Sequence, residues 1–359
     1  MTDFYIRQDN DLIKISAGAA LGSGGEGTVY PITAPKAWSG YCIKVYSDKY
    51  RTTAKEHKLS FMIDHPPASL ITAAGKLCWP EALAYDTKDT DSGNAARFIG
   101  FMMPLAFEGS QELYVLSNLS NKRLSADAAW QKYFNQSAAS FDYRLKVCVN
   151  LCSVVDLIHQ DGNYAVVDFK PQNIMLTADG RVSLVDLDSV QIRADSDGKP
   201  HYGRVNTLEY TPPEGAKIIV RETLVPNTWD EFSLAVILYQ ILLGIHPYMA
   251  SFDSPYAELN SLSDKIRHNL FVHDQGQAYL RFLPPPHQRF EQLPKDVQQL
   301  FKRSFDNRTD DRTSAPLWHL VLLEHLPKSL KHSAVSPSPK PARLVLPFRI
   351  GLKALLEWV

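Results

Sequence analysis

Acidic and basic residues nearly cancel in this chain: 38 Lys and Arg stand against 39 Asp and Glu, a formal net charge of −1. With no surplus of either sign, no global field draws it to nucleic acid or to an anionic membrane. No run of about 18 apolar residues occurs, so no membrane span is expected. The N-terminal stretch lacks a basic start leading into an apolar run and a cleavage site, so no secretory signal is expected. Cysteine is scarce. Cys42, Cys78, Cys148 and Cys152 include no C-x-x-C pair. Cys148 and Cys152, four apart on an expected helix, share a face. That leaves a metal pair open, although no His/Cys partner motif lies nearby. The other reading is buried, reduced thiols in a cytoplasmic protein. The remaining composition, 45% apolar and 21% charged, is that of a globular protein. Its 359 residues suffice for one large domain or two modest ones.

Local patterns divide the chain. Residues 12–46 read as strands and turns: Leu12-Ile13-Lys14-Ile15 alternates, glycines cluster, and Tyr41-Cys42-Ile43-Lys44-Val45-Tyr46 is rich in β-branched and aromatic residues. Residues 52–64 read as a helix that Thr53 can cap, with Leu59, Met62 and Ile63 on one face. Residues 82–86 and 98–104 read as strands joined by a polar loop over 87–94. Beyond about residue 110 the helical period takes over. Residues 144–160 form a long amphipathic helix, two short strands meet at Asp179-Gly180, and residues 229–243 are apolar all round, as in a buried helix. Two more helices are expected over 294–328. A small β-rich part followed by a larger helical part is an α+β architecture with two lobes. Residues 328–343, rich in Ser, Pro and Lys, suit a linker. Residues 344–359 turn apolar again, fit to dock on the chain's own domain, a partner or a membrane surface. No internal repeat is present.

One stretch carries chemistry above all others: Val167-Asp168-Phe169-Lys170-Pro171-Gln172-Asn173-Ile174-Met175-Leu176. It supplies a carboxylate, a lysine two residues on and an asparagine three beyond that. Asp186 follows in Leu184-Val185-Asp186-Leu187-Asp188. These are the groups needed to move a phosphoryl group: a carboxylate to accept the proton of an attacking hydroxyl, an ammonium for the γ-phosphate, and an amide oxygen with a second carboxylate for Mg²⁺. Upstream, Leu21-Gly22-Ser23-Gly24-Gly25-Glu26-Gly27-Thr28-Val29-Tyr30 contains G-x-G-x-x-G-x-V. Glycine there lets backbone amides approach phosphate oxygens with no Cβ in the way. β-forming residues follow, so this loop joins two strands instead of opening the helix of a dinucleotide fold. The lack of G-K-[ST] excludes a Walker A loop. Lys44 lies 17 residues past Gly27 on an expected strand, in reach of the α- and β-phosphates. It needs an anion to hold it. Glu56 on the first helix is the choice, with Glu81 as fallback.

The set Gly22/Gly24/Gly27/Val29, Lys44, Glu56, Asp168/Lys170/Asn173 and Asp186 resembles a protein kinase. Further matches extend the resemblance over roughly residues 15–325. Thr207-Leu208-Glu209-Tyr210-Thr211-Pro212-Pro213-Glu214 is similar to the end of an activation segment. Asp230-Glu231-Phe232-Ser233-Leu234-Ala235 resembles the start of the kinase F helix. Arg312 stands where the arginine that pairs with the buried glutamate, Glu214, is expected. Cys78-Trp79-Pro80, residues 100–104, Val185-Asp186-Leu187-Asp188-Ser189 and Gly244-Ile245-His246-Pro247-Tyr248 resemble one bacterial branch. That branch is linked to von Willebrand-type domain proteins, PP2C phosphatases and tellurite resistance.

The resemblance implies a small lobe over 1–104, a large lobe over 105–327 and a tail over 328–359. It implies ATP and Mg²⁺ as cofactors and serine or threonine hydroxyls of protein substrates as acceptors, this chain's own included. Asp168 and Lys170 would be catalytic. Gly22, Ser23, Gly24, Gly25, Gly27, Val29, Lys44 and Glu56 would bind nucleotide, and Asn173 and Asp186 would bind metal. In the hinge, Met102 would line the back of the adenine pocket, and the backbone of Met103 and Leu105 would pair with the adenine edge. Pro104 has no N–H to give.

Two departures stand out. Val166-Val167 replaces the usual His-Arg, so the receptor for an activation-loop phosphate is missing and the enzyme should not need that switch. Asp188 replaces the glycine of Asp-Phe-Gly, either as a further Mg²⁺ ligand or as a hydrogen-bonding turn residue. A nucleotide-binding pseudokinase scaffold and a small-molecule phosphotransferase stand as alternatives.

Overall fold

The computed structural model describes residues 2–8, 11–86, 96–117, 122–134 and 139–331. Seven strands build the first part: β1 (Thr2–Gln8), β2 (Asp11–Ala17), β3 (Gly22–Ser23), β4 (Gly27–Ala34), β5 (Tyr41–Tyr46), β7 (Ala82–Tyr85) and β8 (Phe98–Pro104), with β6 (Gly75–Leu77) belonging elsewhere. They lie in the order β2-β1-β7-β8-β5-β4-β3, and β2 also pairs with β4, so the sheet closes into a ring. Period-two alternation decides what the ring encloses. Phe4, Ile6, Ile15, Ile32, Ile43, Ala84 and Met102 form one core cluster. Cys42, Tyr46, Phe101 and Met103 belong to the other, larger core. β1 falls outside the region read as strand from sequence, yet it pairs in register with β2 from Thr2↔Ala17 to Gln8↔Asp11.

Helix α1 (Thr53–Asp64) packs on this sheet. Its cap is Thr52, one residue before the expected Thr53; the Thr52 hydroxyl accepts the Lys55 N–H at 3.2 Å. In the second part, α2 (Lys122–Ala126) precedes α3 (Ser140–His159), which starts four residues earlier than periodicity placed it. α4 (Thr228–Leu243) is buried on nearly every side, as its apolar sequence requires, and ends on Gly244 at φ +71°, a left-handed C-terminal cap. α5 (Leu262–Arg267), α6 (Lys295–Ser304), α7 (Ala315–His325) and α8 (Lys328–Lys331) follow. α8 lies where the linker was expected to begin. The apolar segment over 344–359, and the polar loop over 87–94, lie outside the described residues.

The cleft between these parts is floored by β9 (Gln111–Glu112), β11 (Ile174–Leu176) and β12 (Val182–Leu184), in a sheet ordered β6-β12-β11-β9. Gly180 at φ +93° turns the chain between β11 and β12. A second pair, β10 (Tyr164–Ala165) with β13 (Gln191–Ile192), brackets the motif region. All four cysteines are buried and free; burial pushes the Cys42 and Cys78 thiols up to about 12.

Candidate active site

Asp168 sits in a turn hung from α4. The Asp230 carboxylate accepts the N–H of Val166 at 2.6 Å and of Val167 at 2.9 Å, and His159 Nε2 lies 2.9 Å from it. Trp229 donates its indole N–H to the Val167 carbonyl at 3.0 Å. These bonds hold Val167 at φ +67°, a conformation that costs a β-branched residue on the order of 1–3 kcal/mol. The turn delivers Asp168 to the cleft, where Oδ1 accepts from the Thr207 hydroxyl at 2.7 Å and Oδ2 meets Lys170 Nζ at 2.7 Å. Lys170 also reaches Thr207 Oγ1 at 3.1 Å. Asn173 donates its amide to the Asp168 carbonyl at 3.0 Å, and its own carbonyl accepts from Val185 N–H beside Asp186. The sequence-expected group Asp168, Lys170, Asn173 and Asp186 therefore converges on one place.

Across the cleft, β3 and β4 form the glycine loop, with Gly22 opposite Val29 and Ser23 Oγ 2.7 Å from Thr28 Oγ1. The Gly24 N–H is donated to the Gly27 carbonyl at 2.9 Å. Gly24 and Gly25 face open space, whereas a Cβ at Gly27 would stand 2.3 Å from the Val45 carbonyl oxygen. Only glycine fits that close approach. Val29 pairs with Lys44 on β5, which places both on the cleft-facing side of the ring.

Lys44 has anions, but not the expected one. Its Nζ lies 2.5 Å from Asp186 Oδ1 and 2.7 Å from Asp188 Oδ1. Glu56 is instead the acceptor of the Tyr85 hydroxyl at 2.9 Å. The residue before it on α1 makes the cross-cleft bond: Lys55 Nζ lies 3.1 Å from Asp188 Oδ2 and 2.9 Å from Glu26 Oε2 in the glycine loop. Neighbours on a helix point about 100° apart, so Lys55 and Glu56 cannot both face the cleft. Tyr46 donates its hydroxyl to Asp188 Oδ2 at 2.5 Å, and Lys58 donates to the Asp188 carbonyl at 3.0 Å.

Both carboxylate oxygens of Asp188 are thus taken by protein donors. It is not a spare metal ligand; it is the hydrogen-bonding turn residue of the second reading, in the turn Leu187–Ser189. It is the buried counter-ion on which α1, β5 and the turn after β12 converge.

Electrostatics follow from that placement. Asp188 has no exposed surface. Burial works against its charge, but Lys44 and Lys55 outweigh it and hold its pKa far below the usual carboxylate range. Lys44 is raised despite burial, by Asp188 and then Asp186. Burial and the Asp188 charge push Asp186 upward against the pull of Lys44. Its side chain is 44% exposed, so the carboxylate fixed as an anion is Asp188, and Asp186 is the one with charge to offer the cleft. Lys58, fully buried and repelled by Lys55, is lowered to about 7.

Two hinge expectations also need correction. Lys44 pairs with Phe101 and Cys42 with Met103, so Phe101 and Met103 share the Lys44 side while Met102 points into the closed ring. Met102 therefore does not back an adenine pocket. The Leu105 N–H is donated to the Gly40 carbonyl at 2.9 Å, one step past the Tyr41↔Pro104 pair, and is not free for an adenine edge.

The late pair forms as expected, except that Arg312 is its buried member and Glu214 is only half-buried. Arg312 grips Glu214 through two bonds, at 2.5 and 2.8 Å. Sequence reasoning missed Lys55, Lys58, Tyr46 and Glu26. The signal was present in Lys55 and Lys58, two cations on one helix beside Leu59 and Met62, which require an anion if that face is buried.

The protein kinase domain family matches residues 93–322, with the glycine loop and Lys44 upstream of the match. Among curated proteins, protein kinase YegI of Escherichia coli strain K12 is 29% identical over 326 residues, covering 89% of this chain and 46% of that protein. Serine/threonine-protein kinase PknB of Mycobacterium leprae is 25% identical over 169 residues, 47% of this chain and 24% of that protein. The chain thus spans about half the length of the YegI relative. Among solved structures, the ROP18 kinase domain in complex with AMP-PNP and sucrose aligns with a TM-score of 0.58 at 20% identity, over 93% of this chain and 85% of that one. ROP2 from Toxoplasma gondii, described as having a protein-kinase fold and no enzymatic activity, aligns with a TM-score of 0.58 at 15% identity, over 93% and 87%. At such identities the structural likeness shows the fold alone. With well over half its residues matched by the family and the cleft assembled as described, this chain belongs to the protein kinase domain family.

Proposed function

We propose that the protein is an ATP- and Mg²⁺-dependent serine/threonine protein kinase. The observation that carries this reading is the Asp168 carboxylate, held between Lys170 and the Thr207 hydroxyl. Asp168 orients a substrate hydroxyl and takes its proton as the new oxygen–phosphorus bond forms and the bond from Pγ to the leaving ADP oxygen breaks. Lys170 lies beside that path and neutralises charge on the transferring phosphoryl. Lys44, fixed by Asp188, presents its ammonium to the nucleotide phosphates under Gly22, Ser23, Gly24, Gly25 and Gly27. Asn173 and Asp186 are the residues that would hold Mg²⁺. The fit rests on hard oxygen donors: the amide nitrogen of Asn173 is spent on Asp168, and Asp186 carries the exposed carboxylate of the turn. Bound there, Mg²⁺ supplies charge neutralisation to the phosphates.

Independence from an activation-loop phosphate is part of the proposal. Val167 occupies the usual arginine position and packs with Ala165, Val220, Val225 and Trp229. The segment is tied down without phosphate: Arg204 Nε lies 3.5 Å from Glu26, and its guanidinium stacks 4.9 Å from the Tyr50 ring centroid. Autophosphorylation, at hydroxyls such as Ser189, Ser196, Thr207 or Thr211, belongs to this reading. So do the lobe boundaries at 104 and 327. Likeness in motifs supports the bacterial branch with von Willebrand-type and PP2C partners, and buried free thiols support a cytoplasmic setting.

The test is γ-phosphate transfer from radiolabelled ATP to the chain and to a generic basic protein, beside Asp168→Asn. Label on serine or threonine that falls by about 10²-fold or more in the variant is expected. ATP binding with no label in either protein would replace the proposal with a nucleotide-binding scaffold. Label only on a free sugar or amino alcohol would replace it with a small-molecule phosphotransferase.

A further inference from the structure

We propose that His57, Asp195 and His201 form a transition-metal site, of the kind that takes Zn²⁺, joining helix α1 to the segment that follows the Asp186 turn. The three ligand atoms lie within 4.8 Å of one another. His201 Nε2 is 2.8 Å and His57 Nδ1 3.8 Å from the same oxygen, Asp195 Oδ2. Two imidazoles and a carboxylate suit a borderline metal of the zinc class, with water completing a tetrahedron. Bonds of about 2.0–2.2 Å in that geometry set ligand atoms roughly 3.3–3.5 Å apart. The two distances bracket this value, and His57 is exposed and free to close.

The carboxylate is oriented in advance. Asp195 Oδ1 accepts the N–H of Asp197 and of Lys199, both at 2.9 Å, which leaves Oδ2 to face the two rings. On binding, the metal takes the place of the proton shared between His201 Nε2 and Asp195 Oδ2, which leaves as the bond to the metal forms. His57 lies between Lys55 and Lys58, the two residues that hold Asp188 from the same helix. A metal here reinforces the docking of α1, whatever the chemistry of the cleft.

The full chain, without an affinity tag and stripped with chelator, is titrated with Co²⁺ by visible absorption and with Zn²⁺ by calorimetry. One equivalent is expected at micromolar affinity, with tetrahedral Co²⁺ bands, indifferent to millimolar Mg²⁺. His57→Ala and His201→Ala should each weaken it at least about tenfold. His57 is 55% exposed, so its removal leaves no packing hole and the variant stays folded. The four cysteines are buried and offer no competing surface thiol. Zn²⁺ should also slow amide exchange in α1 of the wild type but not of His57→Ala. Absence of binding, binding unchanged in His57→Ala, or binding without protection of α1 would overturn the proposal.

Discussion

The two walls of the cleft position their charges by different means. On the large-lobe wall, Asp168 is aimed by Lys170 and Asn173 of its own motif and by Thr207, and the backbone of its turn is held by Asp230, more than sixty residues further along. On the small-lobe wall, Lys44 is aimed by Asp188, more than a hundred residues away in sequence, inside a buried cluster with Lys55, Tyr46 and Lys58. The first arrangement is a hydrogen-bonded turn in which a single buried carboxylate, Asp230, accepts two backbone N–H groups. The second is a buried ionic hub, which depends on every member being present, because a buried charge left unpaired is far more costly than a lost surface pair. A glycine in place of Asp188 would leave Lys44 with Asp186 alone and Lys55 with Glu26 alone. The aspartate is thus matched to Lys55 on α1.

Removing the hub should have the largest effect. Asp188→Asn is expected to lower stability by about 3–5 kcal/mol, read from urea unfolding, with exchange protection lost in α1 before the large lobe. Asp230→Asn, which weakens two backbone bonds and the contact with His159, is expected to cost about 2–3 kcal/mol and to release the Val167 turn. Equal losses for the two would erase the contrast between an ionic hub and a hydrogen-bonded turn.

The large lobe should in turn be the more acid-sensitive. His246 is buried with both ring nitrogens used: Nε2–H donates to the Glu209 carbonyl at 2.9 Å and Nδ1 accepts the Tyr248 N–H at 3.3 Å. Burial lowers its pKa to about 4. The unfolded chain takes up the proton near 6.5 and the folded one only near 4, so stability is full above 6.5 and falls as pH drops through that window. A loss on the order of 2 kcal/mol by pH 5 is expected for this residue, and His246→Gln should flatten the slope. The smallest effect belongs to Glu56→Gln, which weakens one bond to Tyr85 and should cost about 1 kcal/mol or less.

Legibility in the sequence followed the same divide. Asp168, Lys170, Asn173 and Asp186 were readable because short turns place them and spacing alone brings them together. Glu214 and Arg312 were readable as a matched pair. Lys55 was not, because choosing between adjacent helix residues requires the rotation of α1 about its axis, which tertiary packing sets. Met102 was misplaced for a related reason: a strand shows its period but not which face meets the cleft until the β5–β8 register is known. β1 was overlooked although it is as long as β2 and pairs with it residue for residue. Asp188 was legible as a hydrogen-bonding turn residue but its partners were not; nothing local to it announces two lysines from α1 and β5.

The most direct test is a pair of double-mutant cycles on unfolding free energy, Lys55→Met with Asp188→Asn beside Glu56→Gln with Lys44→Met. A coupling of about 1–3 kcal/mol in the first cycle and one within about 0.5 kcal/mol of zero in the second is predicted. Strong coupling between Glu56 and Lys44, with none between Lys55 and Asp188, would contradict the account.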